Sequence, residues 1–204
     1  MPFTHDTNSA LICAAALVNT RPHGDDPEKL STVAELGAFL DEHEMTGRRD
    51  GDAAELESVR SLRPRLHALW TADEDDVVVA VNTLLAEAGA LPQLVRHDSW
   101  DYHLHATDST APVATRLAVE AAMALVDVVR ARELDRLRIC AADDCENVVV
   151  DLSKNRSRRY CDSGCAARLH AAAYRSRRRS AEVEPVELHD LDPGGDEVAD
   201  EPLP

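Results

Sequence analysis

Apolar residues return every three or four positions through most of the first 135 residues, which is the period of an amphipathic helix. Four stretches are therefore predicted to be helices: 9–19, 31–45, 52–70 and 73–89. Thr32 and Glu35 have the spacing of a capping box, which predicts the start of the second helix. Pro64 should kink or divide the third helix, and Gly89 ends the fourth.

The period changes to two residues over 93–107, which favours strands. Within this segment the sequence WDYHLH (100–105) places three apolar side chains on one face and His103 and His105 on the other. With a turn at 97–99, the pattern predicts a small β-hairpin that packs against the helices.

The helical period returns over about 111–136 and predicts a long helix that leads directly to Cys140. The end of the chain differs in composition. Residues 182–204 contain four prolines, two glycines and no positive charge. Such a segment cannot bury enough surface to offset its ordering entropy, so a disordered acidic tail is predicted over 181–204.

Charge is distributed unevenly along this acidic chain, whose net charge is −16. Residues 152–180 carry nine basic side chains and one acidic side chain, whereas residues 181–204 carry nine acidic side chains and no basic one. The total therefore conceals a basic segment next to an acidic one.

Four of the five cysteines follow the pattern Cys140-x4-Cys145-x15-Cys161-x3-Cys165. Two close pairs with this separation are typical of one zinc ion held by four thiolates. The loop between the pairs is expected to form a hairpin, and Cys165 to lie in the first turn of a terminal helix. Because four protein ligands leave no position for water or substrate, the zinc is predicted to be structural rather than catalytic.

Residues 140–180 contain too little apolar surface to form a core of their own. A structural zinc contributes on the order of 10–16 kcal/mol to the folding of such a segment. Redox sensing through zinc release is an alternative role for the same thiols. Cys13, alone on an apolar helix, is interpreted as a core residue.

The sequence contains no run of 18 apolar residues that would span a membrane. No positive residue precedes the short apolar segment at the amino terminus, so a signal peptide is not predicted. A cytoplasmic location follows, and there clustered cysteines more often hold metal than form disulfides.

Taken together, the patterns predict a mainly α fold in three parts. A helical amino-terminal domain with a small β-hairpin covers 1–135. A small zinc-bound finger, built from a β-hairpin and a helix, covers 136–180, and the acidic tail covers 181–204.

The finger residues resemble one family, the CGNR zinc-finger proteins of bacteria. The matching residues are Cys140, Cys145, Asp151, Ser153, the run NRSRRYC (155–161), Cys165 and Arg168, together with LVNT (17–20) near the amino terminus. The resemblance implies a mainly helical ABATE domain before the finger and a role as a stress-linked transcription regulator. The family motif Cys-Gly-Asn-Arg reads CAAR here, with Ala166 and Ala167, so any contact made by that glycine or asparagine is lost.

The basic segment is predicted to bind nucleic acid. Its candidate contacts are Lys154, Arg156, Arg158 and Arg159 before the third cysteine, and Arg168, Arg175, Arg177, Arg178 and Arg179 on the terminal helix. A 16-residue helix is about 24 Å long and suits a major groove roughly 12 Å wide. Duplex DNA is favoured over RNA because a helix carries the charge, and this implies association with the bacterial nucleoid.

Three structural interpretations compete with this one. Arg158 or Arg159 offsets the negative charge of a zinc held by four thiolates, and the later arginines form a solvated helix end. Tyr160 and Tyr174 are interpreted as core residues of the small finger rather than as stacking platforms. The main functional alternative is an adaptor, in which the finger docks an acidic protein partner without binding DNA.

No phosphate-binding glycine loop, nucleophile elbow or HExxH helix occurs, so the chain is not predicted to be an enzyme. His103 and His105 share one strand face, but the sequence offers no third metal ligand nearby. A small-molecule effector of the 1–135 domain and a homo-oligomer remain open, since the sequence names no pocket chemistry.

Overall fold

The computed structural model describes residues 3–23, 26–96 and 101–182. Within these ranges the helices are α1 (His5–Val18), α2 (Val33–Glu42), α3 (Ala53–Ala68), α4 (Glu74–Glu87), α5 (Val113–Arg130) and α6 (Ser163–Glu182). The strands are β1 (Gln93–Val95), β2 (His103–His105), β3 (Leu137–Ile139) and β4 (Val148–Val150). The mainly α fold with small hairpins is confirmed. The predicted acidic tail falls outside the described residues from position 183 onward.

Helix starts follow the predicted capping chemistry. Thr32 accepts a hydrogen bond from the Glu35 N–H at 3.2 Å, and the Glu35 carboxylate accepts the Thr32 N–H at 2.8 Å, which completes the capping box of α2. Asp52 and Asp73 cap α3 and α4 with their side chains, which accept the N–H groups of Glu55 and Asp76 at 2.8 and 2.9 Å.

Helix α1 begins four residues before the predicted start at residue 9. Its first turn contains buried polar residues rather than a loop. Asn8 is buried, and its amide nitrogen donates to the Thr4 carbonyl at 2.7 Å and to the Phe3 carbonyl at 3.0 Å, so the donor end of the side chain is satisfied inside the helix.

Helix α3 continues through Pro64 as one element rather than dividing. Proline has no N–H, so the carbonyl of Arg60 loses its helical partner. The Arg63 Nε donates to that carbonyl at 3.3 Å, and Pro64 itself is exposed, which lets the helix continue.

The core is formed by α5 packing against α1, α3 and α4. Its fully buried side chains include Leu11, Leu17, Val18, Val59, Leu66, Val77 and Leu125. No helix in the described part of the chain is both long enough and apolar enough to cross a membrane.

Strands β1 and β2 pair antiparallel, with Leu94 opposite Leu104, so the predicted hairpin forms; its turn at 97–99 lies outside the described residues. The apolar face of β2 is more exposed than its histidine face. Tyr102 is 61% exposed and Leu104 48% exposed, whereas His103 and His105 are half-buried. The histidines tolerate this position because their ring nitrogens are hydrogen-bonded.

The long helix predicted over 111–136 is wrong at its carboxyl end. Helix α5 stops at Arg130, and Arg132 adopts the left-handed conformation with φ 57°. The N–H groups of Arg132 and Glu133 return to the carbonyls of Val129 and Val128, which is a Schellman motif. A short 3-10 turn (Leu134–Arg136) then occupies the last residues that were assigned to the helix, and β3 follows it directly.

Strands β3 and β4 pair antiparallel, with Leu137 opposite Val150 and Ile139 opposite Val148. This hairpin was expected between the two cysteine pairs, and that position is wrong. It encloses the first pair, because its loop 140–147 carries Cys140 and Cys145. The reason is that the three valines of β4 form a buried strand, and this strand pairs with β3, which precedes the first cysteine pair.

Strand β4 packs into the helical core. The side chains of Leu137, Val148 and Val150 belong to the same buried cluster as those of the helices. The Asn19 amide brackets Val148, accepting its N–H at 2.7 Å and donating to its carbonyl at 2.9 Å. Trp70 donates its indole N–H to the Val149 carbonyl at 3.1 Å. Residues 1–166 form one compact unit, and residues from 167 onward belong to a second.

Candidate metal centre

The four cysteines of the sequence pattern converge on one point. The sulfur atoms of Cys140, Cys145, Cys161 and Cys165 all lie within 4.8 Å of one another. The Sγ of Cys161 lies 3.7 Å from that of Cys145 and 3.6 Å from that of Cys165. Sulfurs around a tetrahedral zinc with Zn–S bonds near 2.3 Å lie about 3.8 Å apart. The spacing fits a shared metal and is too long for a disulfide bond of about 2.05 Å.

Two structural elements bring the pairs together. Cys140 and Cys145 lie on the loop between β3 and β4, and Cys165 lies in the first turn of α6. Asp162 caps this helix by accepting the Cys165 N–H at 2.8 Å, and Cys165 lies in the first turn as predicted.

Backbone N–H groups point at the first-pair sulfurs. Burial raises the pKa of Cys140, but hydrogen bonds from the Ala142 and Cys161 N–H groups outweigh it, so its pKa lies below the ordinary value. For Cys145, burial dominates over the hydrogen bond from the Asn147 N–H and raises the pKa to about 11. Burial also raises the pKa of Cys161. Four thiols this close ionise together only with a cation among them, which is the chemistry of a divalent metal site.

Asn147 is a supporting residue that sequence reasoning missed. Its side chain is buried, and its amide donates to the Cys161 sulfur at 3.5 Å, which links the two cysteine pairs. The one available signal was its position two residues after Cys145, and this does not distinguish it from an ordinary loop asparagine.

Asp151 organises the segment between the two cysteine pairs. Its carboxylate is fully buried and accepts the Ser153 hydroxyl at 2.5 Å and the N–H groups of Ser153 and Arg158 at 3.0 and 2.9 Å. Burial raises the pKa of Asp151, but these hydrogen bonds and the Arg138 guanidinium, 3.4 Å away, leave it below the ordinary value. The segment 151–161 is therefore folded around one ionised carboxylate.

The four predicted cations of this segment have different surroundings. Arg156 pairs with Asp135 at 2.6 Å and with Glu133 at 2.9 Å. Arg158 donates to the Cys161 carbonyl at 2.9 Å, so its guanidinium is held at the backbone of a metal ligand. All four side chains, including those of Lys154 and Arg159, are exposed.

The cations of α6 lie on an exposed helix. Every described side chain from 171 to 178 is exposed, including Arg175, Arg177 and Arg178, and Arg168 is exposed as well. The side chain of Arg179 lies outside the described set. Tyr174 is 58% exposed, so its interpretation as a core residue is wrong. The part of α6 around Tyr174 is rich in arginine and alanine and has no apolar stripe with which to bury a tyrosine.

Comparison with known families matches both parts of the chain. The ABATE family model, described as "Putative stress-induced transcription regulator", matches residues 13–132. The CGNR zinc finger model matches residues 136–178. Neither description is that of an enzyme family. A comparison with curated proteins gives no match.

The second match contains all four clustered cysteines, and their geometry fits one structural Zn2+. Bound there, the ion would tie the loop 140–147 to the start of α6. The chain belongs to the ABATE family and carries a CGNR zinc finger after its ABATE region.

Proposed function

We propose that this protein is a transcription regulator that binds duplex DNA through the exposed cations of its zinc finger. The observation that carries the proposal is the exposed arginine side chains of α6 in a chain of net charge −16. Solubility does not require them, because the rest of the chain already carries a large net charge. Exposed guanidinium groups on a helix are suited to phosphate contacts.

The surroundings of each cation divide the candidate contacts into two groups. Lys154, Arg159 and the α6 arginines are assigned to phosphate contact. Arg156 is assigned to structure, since Glu133 and Asp135 already offset its charge. Arg158 is assigned to the metal loop through its bond to Cys161.

Fluorescence anisotropy with a labelled duplex of mixed sequence tests the proposal. If about five phosphates are contacted, log affinity falls with log salt at a slope near −4.5. Replacing Arg175 and Arg177 together by alanine should reduce the slope by about 1.8, because two phosphate contacts are removed. Arg65→Ala is the matched control: Arg65 is an exposed arginine on α3 that pairs with Glu87 at 2.7 Å.

Two results would contradict the proposal. Absence of duplex binding at low salt by the zinc-loaded chain would favour the adaptor alternative, in which an acidic protein partner takes the place of DNA. An equal loss of DNA affinity in Arg65→Ala would show that binding depends on the overall charge of the protein and not on the finger. Duplex RNA, tested in parallel, should bind more weakly, because its narrow major groove excludes a helix.

A further inference from the structure

A large cavity lies inside the compact unit 1–166, away from the cysteine cluster. Its volume is about 800 Å3, and its walls come from α1, the end of α2 with the loop after it, β2 and α5. We infer that this cavity binds a small amphipathic organic cation, an amine with an apolar body. Binding at this site does not depend on DNA binding and is tested without DNA.

The cavity has the size and the apolar wall of a small-molecule site, for which 300–1,000 Å3 is typical. Ile12 and Leu104 line it and are 46% and 48% exposed, so two large aliphatic side chains of the wall are in contact with water. Cys13, Val119 and Met123 continue the apolar surface. A ligand with an apolar body would remove this surface from water.

The charged groups on the wall select a cation. The carboxylates are Asp6, Asp41, Glu42, Glu44, Glu120 and Asp127. The wall also carries Arg49 and Arg130. The charge of Arg49 is offset by Asp41, because the Arg49 guanidinium donates to the Asp41 carboxylate and to the Met45 carbonyl, both at 2.6 Å. Without the Arg49–Asp41 pair, five carboxylates remain against the exposed Arg130, so the remaining field in the cavity is negative.

Three of these carboxylates, Asp6, Glu120 and Asp127, are half-buried, so water screens their charge less than that of the exposed ones. Asp6 joins α1 to β2: burial raises its pKa, but hydrogen bonds from the Thr4 hydroxyl and from backbone N–H groups, including that of Leu104, leave it below the ordinary value. Asp127 accepts the Thr7 hydroxyl at 2.6 Å, which fixes its orientation on α5. Glu120 lies close enough to Cys13 on α1 that its charge adds to the effect of burial, and together they raise the pKa of Cys13 to about 12.

The two histidines on the wall do not cancel this field. His103 Nδ1 contacts the Asp101 carbonyl at 2.7 Å, and because a carbonyl only accepts, this nitrogen donates. The Nε2 atoms of His103 and His105 lie 2.8 Å apart, so one donates and the other must be unprotonated. The pair therefore carries at most one positive charge while this contact is kept.

A metal ion is the competing occupant of the cavity. Among the described residues, the cysteine cluster is the one group of three or more side chains placed to hold a metal. An ion at the two histidines would therefore depend on non-protein ligands. For this reason the geometry favours an organic cation, and a metal ion is included in the experiment as a competing probe.

The test uses three probes with one apolar body and different charge: phenethylamine, 2-phenylethanol and 3-phenylpropionate. Each is titrated calorimetrically into the full zinc-loaded chain at neutral pH. The amine should bind at least about tenfold more tightly than the alcohol, because one partly buried ion pair distinguishes them. The carboxylate should give no measurable binding.

Glu120→Gln should weaken amine binding about tenfold and leave alcohol binding unchanged, since only the charge is removed. The control is Glu57→Gln, an exposed carboxylate of α3 that does not line the cavity. Ala10→Phe should abolish binding of both probes by filling the cavity. Thermal unfolding of each variant verifies that it remains folded.

Three outcomes would overturn the inference. The first is equal binding of amine and alcohol, and the second is amine binding that Glu120→Gln leaves intact. The third is a response to Ni2+ alone, lost in His105→Gln, without any response to the amine. None of these outcomes bears on the DNA titration, so the two proposals fail separately.

Discussion

Asp151 shows how one buried side chain determines the conformation of a surface segment. It lies between the two cysteine pairs and holds the backbone of Ser153 and Arg158. The resemblance of the sequence to the finger family singled out Asp151 and Ser153, but it did not indicate what they do. In the structure they hydrogen-bond to each other at 2.5 Å and organise the segment that leads to Cys161.

Asp151→Asn should destabilise the folded chain by about 3 kcal/mol. The amide can accept fewer hydrogen bonds than the carboxylate, and its NH2 group would face the donors of Arg158 or Arg138. The measurement is the free energy of unfolding in urea with zinc present. Asp143→Asn is the control, because Asp143 is exposed on the neighbouring loop, and it should change stability by less than about 0.5 kcal/mol. Equal effects of the two variants would refute the role of Asp151.

The stabilising contribution of Asp151 also has a defined pH dependence. Its pKa in the folded chain lies below the ordinary value of 3.8, so the carboxylate stabilises the fold at all pH values above that value. The contribution is lost as the pH falls below 3.8 toward the folded pKa. The difference in unfolding free energy between the wild type and Asp151→Asn should therefore stay constant from pH 7 to about 5 and shrink below about 4. A difference that changes between pH 6 and 8 would assign the effect to another group.

At the scale of single residues, the sequence predicted which cysteines come together, but it did not predict which arginines form ion pairs. The cysteine pattern identified four residues that do converge, because metal ligands impose a spacing on the chain. Counting arginines could not separate Arg156, which pairs with two carboxylates, from the exposed Arg159. Those carboxylates, Glu133 and Asp135, come from a turn that the sequence pattern assigned to a helix.

Strand β4 is the element that joins the zinc finger to the helices. Helix positions were largely predictable, since apolar period and caps act locally. The end of α5 was not predictable, because Arg132 takes the left-handed position that glycine usually marks. The packing of three consecutive valines against α1 was not predictable either, because a short apolar run does not indicate which element it packs against.

Asn19→Ala should lower the free energy of unfolding by about 2–3 kcal/mol, since it leaves the N–H and carbonyl of Val148 without their partner. Zinc should also transfer faster to a chromogenic chelator, because β4 bears the loop of Cys140 and Cys145. Asn82→Ala on the exposed side of α4 is the matched control and should be neutral or slightly stabilising. Unchanged zinc transfer in Asn19→Ala would mean that the hairpin is held by the metal alone.

The whole molecule combines a helical core with a metal centre that shares part of that core. The sequence led us to expect a finger dependent on zinc for its stability. The burial of Leu137, Val148 and Val150 among the helices supplies a second source of stability.

Chelation of zinc should therefore unfold the chain only in part. The segments 140–147 and 151–165 should lose protection from hydrogen exchange, whereas α1 and α5 should keep it. The loss in stability should be smaller than the 10–16 kcal/mol typical of isolated zinc-finger peptides, because the hairpin retains its apolar contacts. Mass spectrometry of exchange, with zinc content measured on the same sample, provides the test. Loss of protection throughout α1 and α5, or a zinc content far from one per chain, would contradict this account.

The bracketing of Val148 by Asn19 has a consequence for protein engineering and for domain exchange. A fragment consisting of 136–180 alone would present the valines of β4 to water and would tend to aggregate. A chimera that joins this finger to a foreign sensor would need an asparagine and a tryptophan at equivalent positions of the host. Recombination at residue 135 is thus restricted to hosts that already offer a complementary surface.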